Sequence, residues 1–268
     1  MKLFFKKLLF VAAIITSTAN FVEAKTIAII FAMEEEAQPT IEAFGLQEDS
    51  TCLDNIKKTF PDLTMKIYKN QPINGSQIIL SVNGKDHRFD NVDRVGTIHA
   101  TINTGIIIAK FHPDVVISAG TAGGRGEKGA EIGKVYLINK TMFHDRRIPA
   151  GPDYVAYGTN KTKHETENIA QELGLPVATL STGDSLDKAN EDIKIIEDNG
   201  ATVKDMEGAA VAEVCKLTEN VSFIGLKAIT DIFDSNEPVG EQFWANLCHA
   251  REQLTSKLCD LVDYLSKN

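Results

Sequence analysis

The sequence predicts an α/β fold, a single domain with a mixed, largely parallel central sheet flanked by helices. Three observations carry this. Residues 26–32, 114–119 and 221–229 are short, almost unbroken apolar runs, as strands buried on both faces are. Segments with helical apolar spacing lie between them, the alternation of a parallel sheet with crossover helices. The residues that end these runs are small or acidic, and open α/β sheets bind their ligands at the carboxyl ends of the strands.

The elements follow in order. Thr26-Ile27-Ala28-Ile29-Ile30-Phe31-Ala32 is the first strand. Met33-Glu34-Glu35-Glu36 opens a helix, where carboxylates meet the positive end of the helix dipole. Taken alone, the triple Glu is ordinary helix-start chemistry. Residues 64–70 and 77–82 are strands joined through Pro72 and Asn74-Gly75. Ile98, Ile102, Ile106 and Ala109 give 96–110 a helical apolar face. The strand at 114–119 runs into a small-residue loop, Gly120-Thr121-Ala122-Gly123-Gly124. A strand at 133–139 and a helix at 161–173 come next. The short strand 177–180 ends at Ser181-Thr182-Gly183-Asp184, and a polar helix covers 187–198. Lys204-Asp205-Met206-Glu207 precedes a helix with Ala210, Val211, Val214 and Leu217 on one face. Strand 221–229 ends at Thr230-Asp231. A helix over 239–266 turns Phe243, Leu247, Leu254, Leu258 and Leu261 inward.

Residues 1–24 stand apart from this fold. Lys2, Lys6 and Lys7 precede an apolar run from Leu8 to Ile15, and Val22-Glu23-Ala24 supplies small residues at a cleavage site. That is the order of a secretory signal peptide. The run is shorter than the roughly 20 residues of a membrane span. Cleavage after Ala24 is expected, with Thr18-Ala19 as the competing site, so 25–268 is the functional domain and the chain is secreted or periplasmic, with no membrane attachment once the signal is removed. The formal net charge of -9, without a basic run after residue 24, argues against a nucleic-acid partner. No pair among Cys52, Cys215, Cys248 and Cys259 has C-x-x-C spacing. Cys215 is expected in the core, and a Cys52 bridge to the C-terminal pair is left open.

No spacing of the six histidines suits a metal, and no motif points to an organic cofactor. The Gly120 to Gly124 segment lacks the Lys-Ser/Thr ending of a P-loop; it reads as a tight turn or as backbone approaching a ligand. The carboxylates at strand ends say more. Glu36, Asp184 and Asp231 are distant in sequence but occupy equivalent places in the alternation. Breaking a glycosidic bond requires a proton for the leaving group, a base for water, and no competing positive charge near the cation-like sugar. Asp231 and Glu36 have the positions to supply the first two. Any one of them alone would be read as a helix cap or a solvated loop residue.

Six segments occur in a telling order: Ala32-Met33-Glu34-Glu35-Glu36, Ser118-Ala119-Gly120-Thr121-Ala122-Gly123-Gly124, Phe143-His144-Asp145-Arg146-Arg147-Ile148-Pro149, Ser181-Thr182-Gly183-Asp184-Ser185-Leu186-Asp187, Lys204-Asp205-Met206-Glu207-Gly208-Ala209-Ala210 and Lys227-Ala228-Ile229-Thr230-Asp231. Together they resemble the 5'-methylthioadenosine/S-adenosylhomocysteine nucleosidases of the nucleoside phosphorylase superfamily, and the third and fourth resemble the plant-type members. The resemblance implies hydrolysis of 5'-methylthioadenosine, and of S-adenosylhomocysteine in some members, without metal or cofactor. It implies that Asp231 protonates N7 of the adenine, that Glu36 activates water, and that Glu207 binds the ribose hydroxyls with Met206 against the sugar. It places Thr121, Ala122 and Gly123 beside the water, Val95 and Gly96 beside the sugar, and Ser185, Leu186 and Asp187 at the base edge. It also implies a homodimer in which a neighbouring subunit completes the 5' pocket. The aromatic and Pro residues of the segment around 143–157 suit that role, and they suit a surface loop equally well. Two departures stand out. Leu186 replaces the stacking Phe of common bacterial members, and Lys227 stands where Arg is frequent. Export is unusual for a family that recycles a cytoplasmic by-product.

Three other readings share these features. A nucleoside phosphorylase would need Arg side chains to grip phosphate, and only Arg125 adjoins the glycine-rich segment. A non-catalytic periplasmic nucleoside-binding protein would fit the export signal but has no need of a water-activating carboxylate. An aminodeoxyfutalosine nucleosidase would use the same base and ribose chemistry. Sequons begin at Asn74, Asn139, Asn160 and Asn220, of which Asn139 and Asn220 abut expected core strands.

Overall fold

The computed structural model describes residues 25–72, 75–187 and 189–268, so the expected signal peptide, 1–24, and the sequon residue Asn74 lie outside the described residues. The elements run in chain order: β1 (Thr26–Phe31), α1 (Glu34–Ala43), β2 (Gln47–Glu48), α2 (Asp54–Thr59), β3 (Lys66–Lys69), β4 (Gln77–Val82), β5 (Lys85–Asp86) and β6 (Val92–Asp93). Then come α3 (Thr97–Phe111), β7 (Val115–Gly124), β8 (Val135–Phe143), α4 (Pro152–Thr159), β9 (Thr162–Lys163), α5 (Glu167–Leu173), β10 (Val177–Thr182) and α6 (Asn190–Asp198). The chain closes with β11 (Val203–Asp205), α7 (Gly208–Lys216), β12 (Ser222–Ile232) and α8 (Val239–Lys267).

The main sheet is ordered β11-β10-β8-β12-β7-β1-β4-β3-β2. Its pairings at β11–β10, β10–β8, β12–β7, β7–β1 and β1–β4 are parallel, while β8–β12, β4–β3 and β3–β2 are antiparallel. One pairing was not expected. The far end of β7 also pairs antiparallel with β11, Gly123 opposite Lys204 and Gly124 opposite Val203. That contact closes β7, β12, β8, β10 and β11 into a ring, which brings the ends of β7, β11 and β12 together.

The period-two alternation of β1 sorts its side chains into two cores. Ile27, Ile29 and Phe31 pack with Ala37 and Ile41 of α1 and with Ala250, Leu254, Leu258 and Leu261 of α8. Ala28 and Ile30 pack on the opposite side with Ala100 and Ile107 of α3 and Ala209, Ala210, Val211 and Cys215 of α7. Burial of each large side chain here stabilises the fold by about 1.5–3 kcal/mol, and it anchors the strand ends from both faces.

Several expectations are corrected. The segment Gly120 to Gly124 is not a loop: it is the second half of β7, and all five residues are buried. Asp231 does not follow β12 but lies within it. Residues 161–166 are not helical, because Thr162–Lys163 pairs with β8 as a strand and α5 begins only at Glu167. The second half of the 143–157 segment is not a loop but the start of a helix, α4, which runs on to Thr159. On α3 the buried face is Ala100, Asn103, Thr104 and Ile107, while Ile98 and Ile102 face outward. Leu217 is exposed just past the last turn of α7. All four cysteines are free, so Cys52 forms no bridge, and Cys215 is a core residue as expected.

Candidate active site

Each acidic side chain reaches the site by a different local device. Met33 is extended and turns the chain from β1 into α1, so the first helical turn starts at the strand end. The three glutamates then diverge. Glu34 takes hydrogen bonds from Lys66 and Tyr68, both at 2.7 Å. Glu35 is exposed, and Glu36 is buried with its carboxylate on the end of β7. The Thr121 amide donates to Glu36 Oε1 at 2.8 Å, and the Thr121 hydroxyl donates to the same oxygen.

Asp231 is aimed by an irregularity in β12. Ile229 pairs with Ala122 but Asp231 pairs with Gly123, so one residue is skipped on the β12 strand. Such a bulge redirects the side chain that follows it. The Thr230 hydroxyl donates to Asp231 Oδ1 at 2.9 Å, and Asp231 is 2 % exposed. Gly123 opposite leaves the room: a Cβ there would fall 2.6 Å from Asp231 Oδ2.

Glu207 follows β11 and stands at the start of α7 in a non-helical conformation. The Gly96 amide donates to Glu207 Oε1 at 2.7 Å. Behind it, the Lys227 ammonium and the Asp205 carboxylate form an ion pair at 2.9 Å, with both side chains buried. Asp205 also accepts from the Thr182 hydroxyl at 2.6 Å and the Gly208 amide at 2.8 Å. The pair is thus satisfied on its remaining lone pairs, as a buried pair must be.

Three carboxylates, Glu36, Asp205 and Glu207, share the field of Lys227. Burial pushes Glu36 up, against the opposing hydrogen bonds from Thr121 and the charge of Lys227. Burial, then the charge of Asp205, pushes Glu207 up to about 8, with Lys227 and the Gly96 amide opposing. For Lys227 burial would lower the value, but Asp205, Glu207 and Glu36 outweigh it and the net direction is upward. The ammonium therefore stays charged, while burial disfavours the charged forms of Glu36 and Glu207.

These groups open onto one cavity of about 510 Å³. Of the residues named from sequence, Glu36, Asp231, Glu207, Met206, Thr121, Ala122, Gly123, Val95 and Leu186 line it. Gly96, Ser185 and Asp187 do not. Gly96 acts one step back, through its amide on Glu207. Asp187 lies beside Leu186 in a neighbouring depression near Val239, and Ser185 contributes no lining surface to either. Asp184 is not at the cavity: its carboxylate accepts from the Thr97 amide at 2.6 Å and the Thr97 hydroxyl at 2.7 Å, at the start of α3.

Sequence reasoning missed several wall residues. Lys204 is buried and donates to the Leu186 carbonyl at 3.2 Å and to the Asp187 carbonyl, tying down the 185–187 segment. Its burial follows from pairing on both sides, with Ser181 of β10 and Gly123 of β7 opposite it. Phe243 and Trp244 form an edge-on aromatic pair, 5.0 Å between centroids, at the start of α8. Asn83, after β4, joins Glu36, Thr121, Glu207 and Lys227 around a space of about 10 Å³, about what one water needs.

The electrostatics of this cavity suit a neutral substrate that becomes cationic. Lys227 is paired with Asp205, and Lys204 is held by carbonyls. Arg125 is turned to Glu197 at 2.9 Å and Glu127 at 3.2 Å and does not line the cavity. No phosphate-gripping guanidinium is directed into it among the described residues.

Such a sheet, with carboxylates from separate strand ends around a nucleoside-sized cavity, defines the class: the Phosphorylase superfamily, whose family model matches residues 26–263. Within it, the chain belongs to the 5'-methylthioadenosine/S-adenosylhomocysteine nucleosidase family. An Arabidopsis thaliana 5'-methylthioadenosine/S-adenosylhomocysteine nucleosidase is 40% identical over 247 residues, covering 90% of this chain and 92% of the relative. A 5'-methylthioadenosine nucleosidase of the same plant is 37% identical, over 90% and 87% of the two chains. The solved structure of an Arabidopsis thaliana 5'-methylthioadenosine nucleosidase in apo form matches with a TM-score of 0.84 at 36% identity, over 91% of this chain and 97% of that one.

Proposed function

We propose that this chain is a hydrolase that cleaves the N-glycosidic bond of 5'-methylthioadenosine to adenine and the 5-substituted ribose. The convergence of Glu36, Asp231 and Glu207 from three strand ends on one cavity carries the reading. Water between Glu36, Asn83 and Lys227 adds to the anomeric carbon while the bond to adenine N9 breaks. Glu36 takes the water proton, and Asp231 supplies a proton to N7, so the base leaves neutral. Glu207 accepts hydrogen bonds from the ribose hydroxyls, and the surrounding carboxylates favour the cation-like sugar. The family relationship to the plant nucleosidases supports the same assignment.

Incubation of the purified protein with 5'-methylthioadenosine in phosphate-free buffer tests it, with adenine release as the readout. A requirement for added phosphate would make the chain a phosphorylase, and nucleoside recovered uncleaved would make it a binder. S-adenosylhomocysteine and aminodeoxyfutalosine belong in the same panel. A solved futalosine hydrolase of Helicobacter pylori shares the fold, with a TM-score of 0.71 at 22% identity, and at that identity supports the fold alone.

The working form proposed is a homodimer, exported and processed to begin at Lys25. Two exposed apolar stretches support the dimer: Phe89, Val92, Ile98 and Ile102 before and along α3, and Tyr154, Val155 and Tyr157 on α4. Sedimentation of the active species checks it, and N-terminal sequencing of the native protein checks processing. A monomeric active species, or an N-terminus at Met1, would remove the respective part.

A further inference from the structure

We propose that Asp184 is a positioning residue for the ribose-binding carboxylate, because it holds the start of α3 so that the Gly96 amide stays on Glu207. The inference rests on the nucleosidase reading given above. Asp184 is distant from Glu207 in sequence and does not line the cavity, yet two short steps join them. Its carboxylate accepts from both the amide and the hydroxyl of Thr97, at 2.6 and 2.7 Å. Thr97 is the first residue of α3, where backbone amides have no partner inside the helix. The preceding amide, of Gly96, donates to Glu207 Oε1 at 2.7 Å. The dipole of the fifteen-residue α3 favours both carboxylates at this end.

Gly96 fits this arrangement in two ways. Its φ of 95° lies in the region that favours glycine, and a Cβ would fall 2.6 Å from Asp184 Oδ1. Asp184 is itself fixed: its amide donates to Asp145 Oδ2 at 2.6 Å, just past the end of β8. It also directly precedes Ser185, Leu186 and Asp187, of which Leu186 lines the cavity. The ends of β8 and β10 thereby set the geometry of a carboxylate carried after β11. A helix cap without this role would cost stability and leave the use of the ribose unaffected.

A double-mutant cycle separates the two cases. Adenine release is measured for the full chain, for Asp184→Ala, for Glu207→Gln and for the double variant, with Tm recorded for each. Asp184→Ala is expected to lower kcat/KM about tenfold or more, the loss of a hydrogen bond to a charged group. The double variant is expected to be no slower than Glu207→Gln alone. Asp184→Asn, which keeps an acceptor for the Thr97 amide, should recover most of the rate. Additive losses, or an Asp184→Ala rate equal to the parent's, would overturn the proposal. If Asp184→Ala does not fold, Thr97→Ala, which removes only the hydroxyl donor, takes its place in the cycle. Hydrogen exchange at the Gly96 amide is read in parallel and needs no activity. Faster exchange in Asp184→Ala supports the clamp, and unchanged exchange overturns it. A parent protein that releases no adenine would instead remove the nucleosidase reading, with the clamp still judged by exchange.

Discussion

Gly123 and Asp231 face each other across the β7–β12 pairing, and the space a Cβ would need at Gly123 is filled by the Asp231 carboxylate, 2.6 Å away. Phe233 would lie 3.4 Å from the same Cβ, so the added methyl is flanked by the ring and must push the carboxylate. Gly123→Ala is therefore expected to displace Asp231 while leaving the strand intact. Misplacement by about 1 Å costs on the order of 10² in rate. Adenine release should fall by that order with a Tm change of a few degrees or less. A variant of parental activity would mean that Asp231 need not occupy the position described.

Asp231→Asn keeps the size and hydrogen-bonding outline of the side chain but removes the proton. Turnover should fall by about 10²–10⁴, while a non-hydrolysable nucleoside analogue still binds. Glu36→Gln should behave in the same way, because an amide cannot take the water proton. Its NH₂ group could also face the Thr121 donors, so the flip that keeps its carbonyl on Thr121 is the one expected. Adenine release from Asp231→Asn near the parent rate would remove the assigned acid.

The parts of the site that were legible in sequence are those whose position follows from a strand end. Glu36 and Asp231 stand just past, or within, apolar runs, and the alternation puts them at one edge of the sheet. Glu207 was reached only through the resemblance, because β11 is three residues long and two of them are charged. What was not legible depends on partners far along the chain. Asp184 looks like another strand-end carboxylate, but Thr97 claims it. Lys204 looks like a solvated residue at the start of its segment, but β10 on one side and β7 on the other bury it. The glycines and alanine of 120–124 carry the composition of a turn, and only pairing with β12 and β11 makes them a strand. On α3 the regular isoleucine spacing pointed to the wrong face, because small and polar residues, Ala100, Asn103 and Thr104, pack closest to the sheet. Asn103 belongs there through its bonds to Ser81 at 2.7 Å and Asn83 at 2.9 Å.

Lys227 supplies the compensation on which three buried carboxylates depend. Lys227→Met preserves length and apolar volume but leaves Asp205 without its ion-pair partner. Removing one member of a buried pair typically costs about 3–5 kcal/mol. A marked drop in Tm is expected, larger at high pH, where the carboxylates would ionise without a counter-charge. Lys227→Met combined with Asp205→Asn should recover part of it, because the orphaned charge is gone. Equal stability of the parent and Lys227→Met would show that the ion pair is not what keeps this cluster folded.

The upward shift of Glu207 predicts the direction in which stability depends on pH. Burial and then the Asp205 charge push the carboxyl from an ordinary value of 4.5 to about 8. Between these values the folded chain holds a proton that the unfolded chain has released. The folded state thus binds more protons, and stability falls as pH rises. The contribution is fully present below about pH 4.5 and is lost as pH rises through about 8. One such proton changes stability by at most about 1.4 kcal/mol per pH unit, which is roughly 2–6 °C in Tm for a domain of this size. Glu207→Gln holds a neutral group of the same shape at every pH, so its Tm should decline less between pH 5 and 8. Glu36 shifts in the same direction, so some slope should remain in the variant. The comparison needs only Tm for the two proteins at pH 5, 6, 7 and 8. Parallel curves would mean that Glu207 is already ionised in the folded protein across this range, with Lys227 stabilising its charge more than burial opposes it.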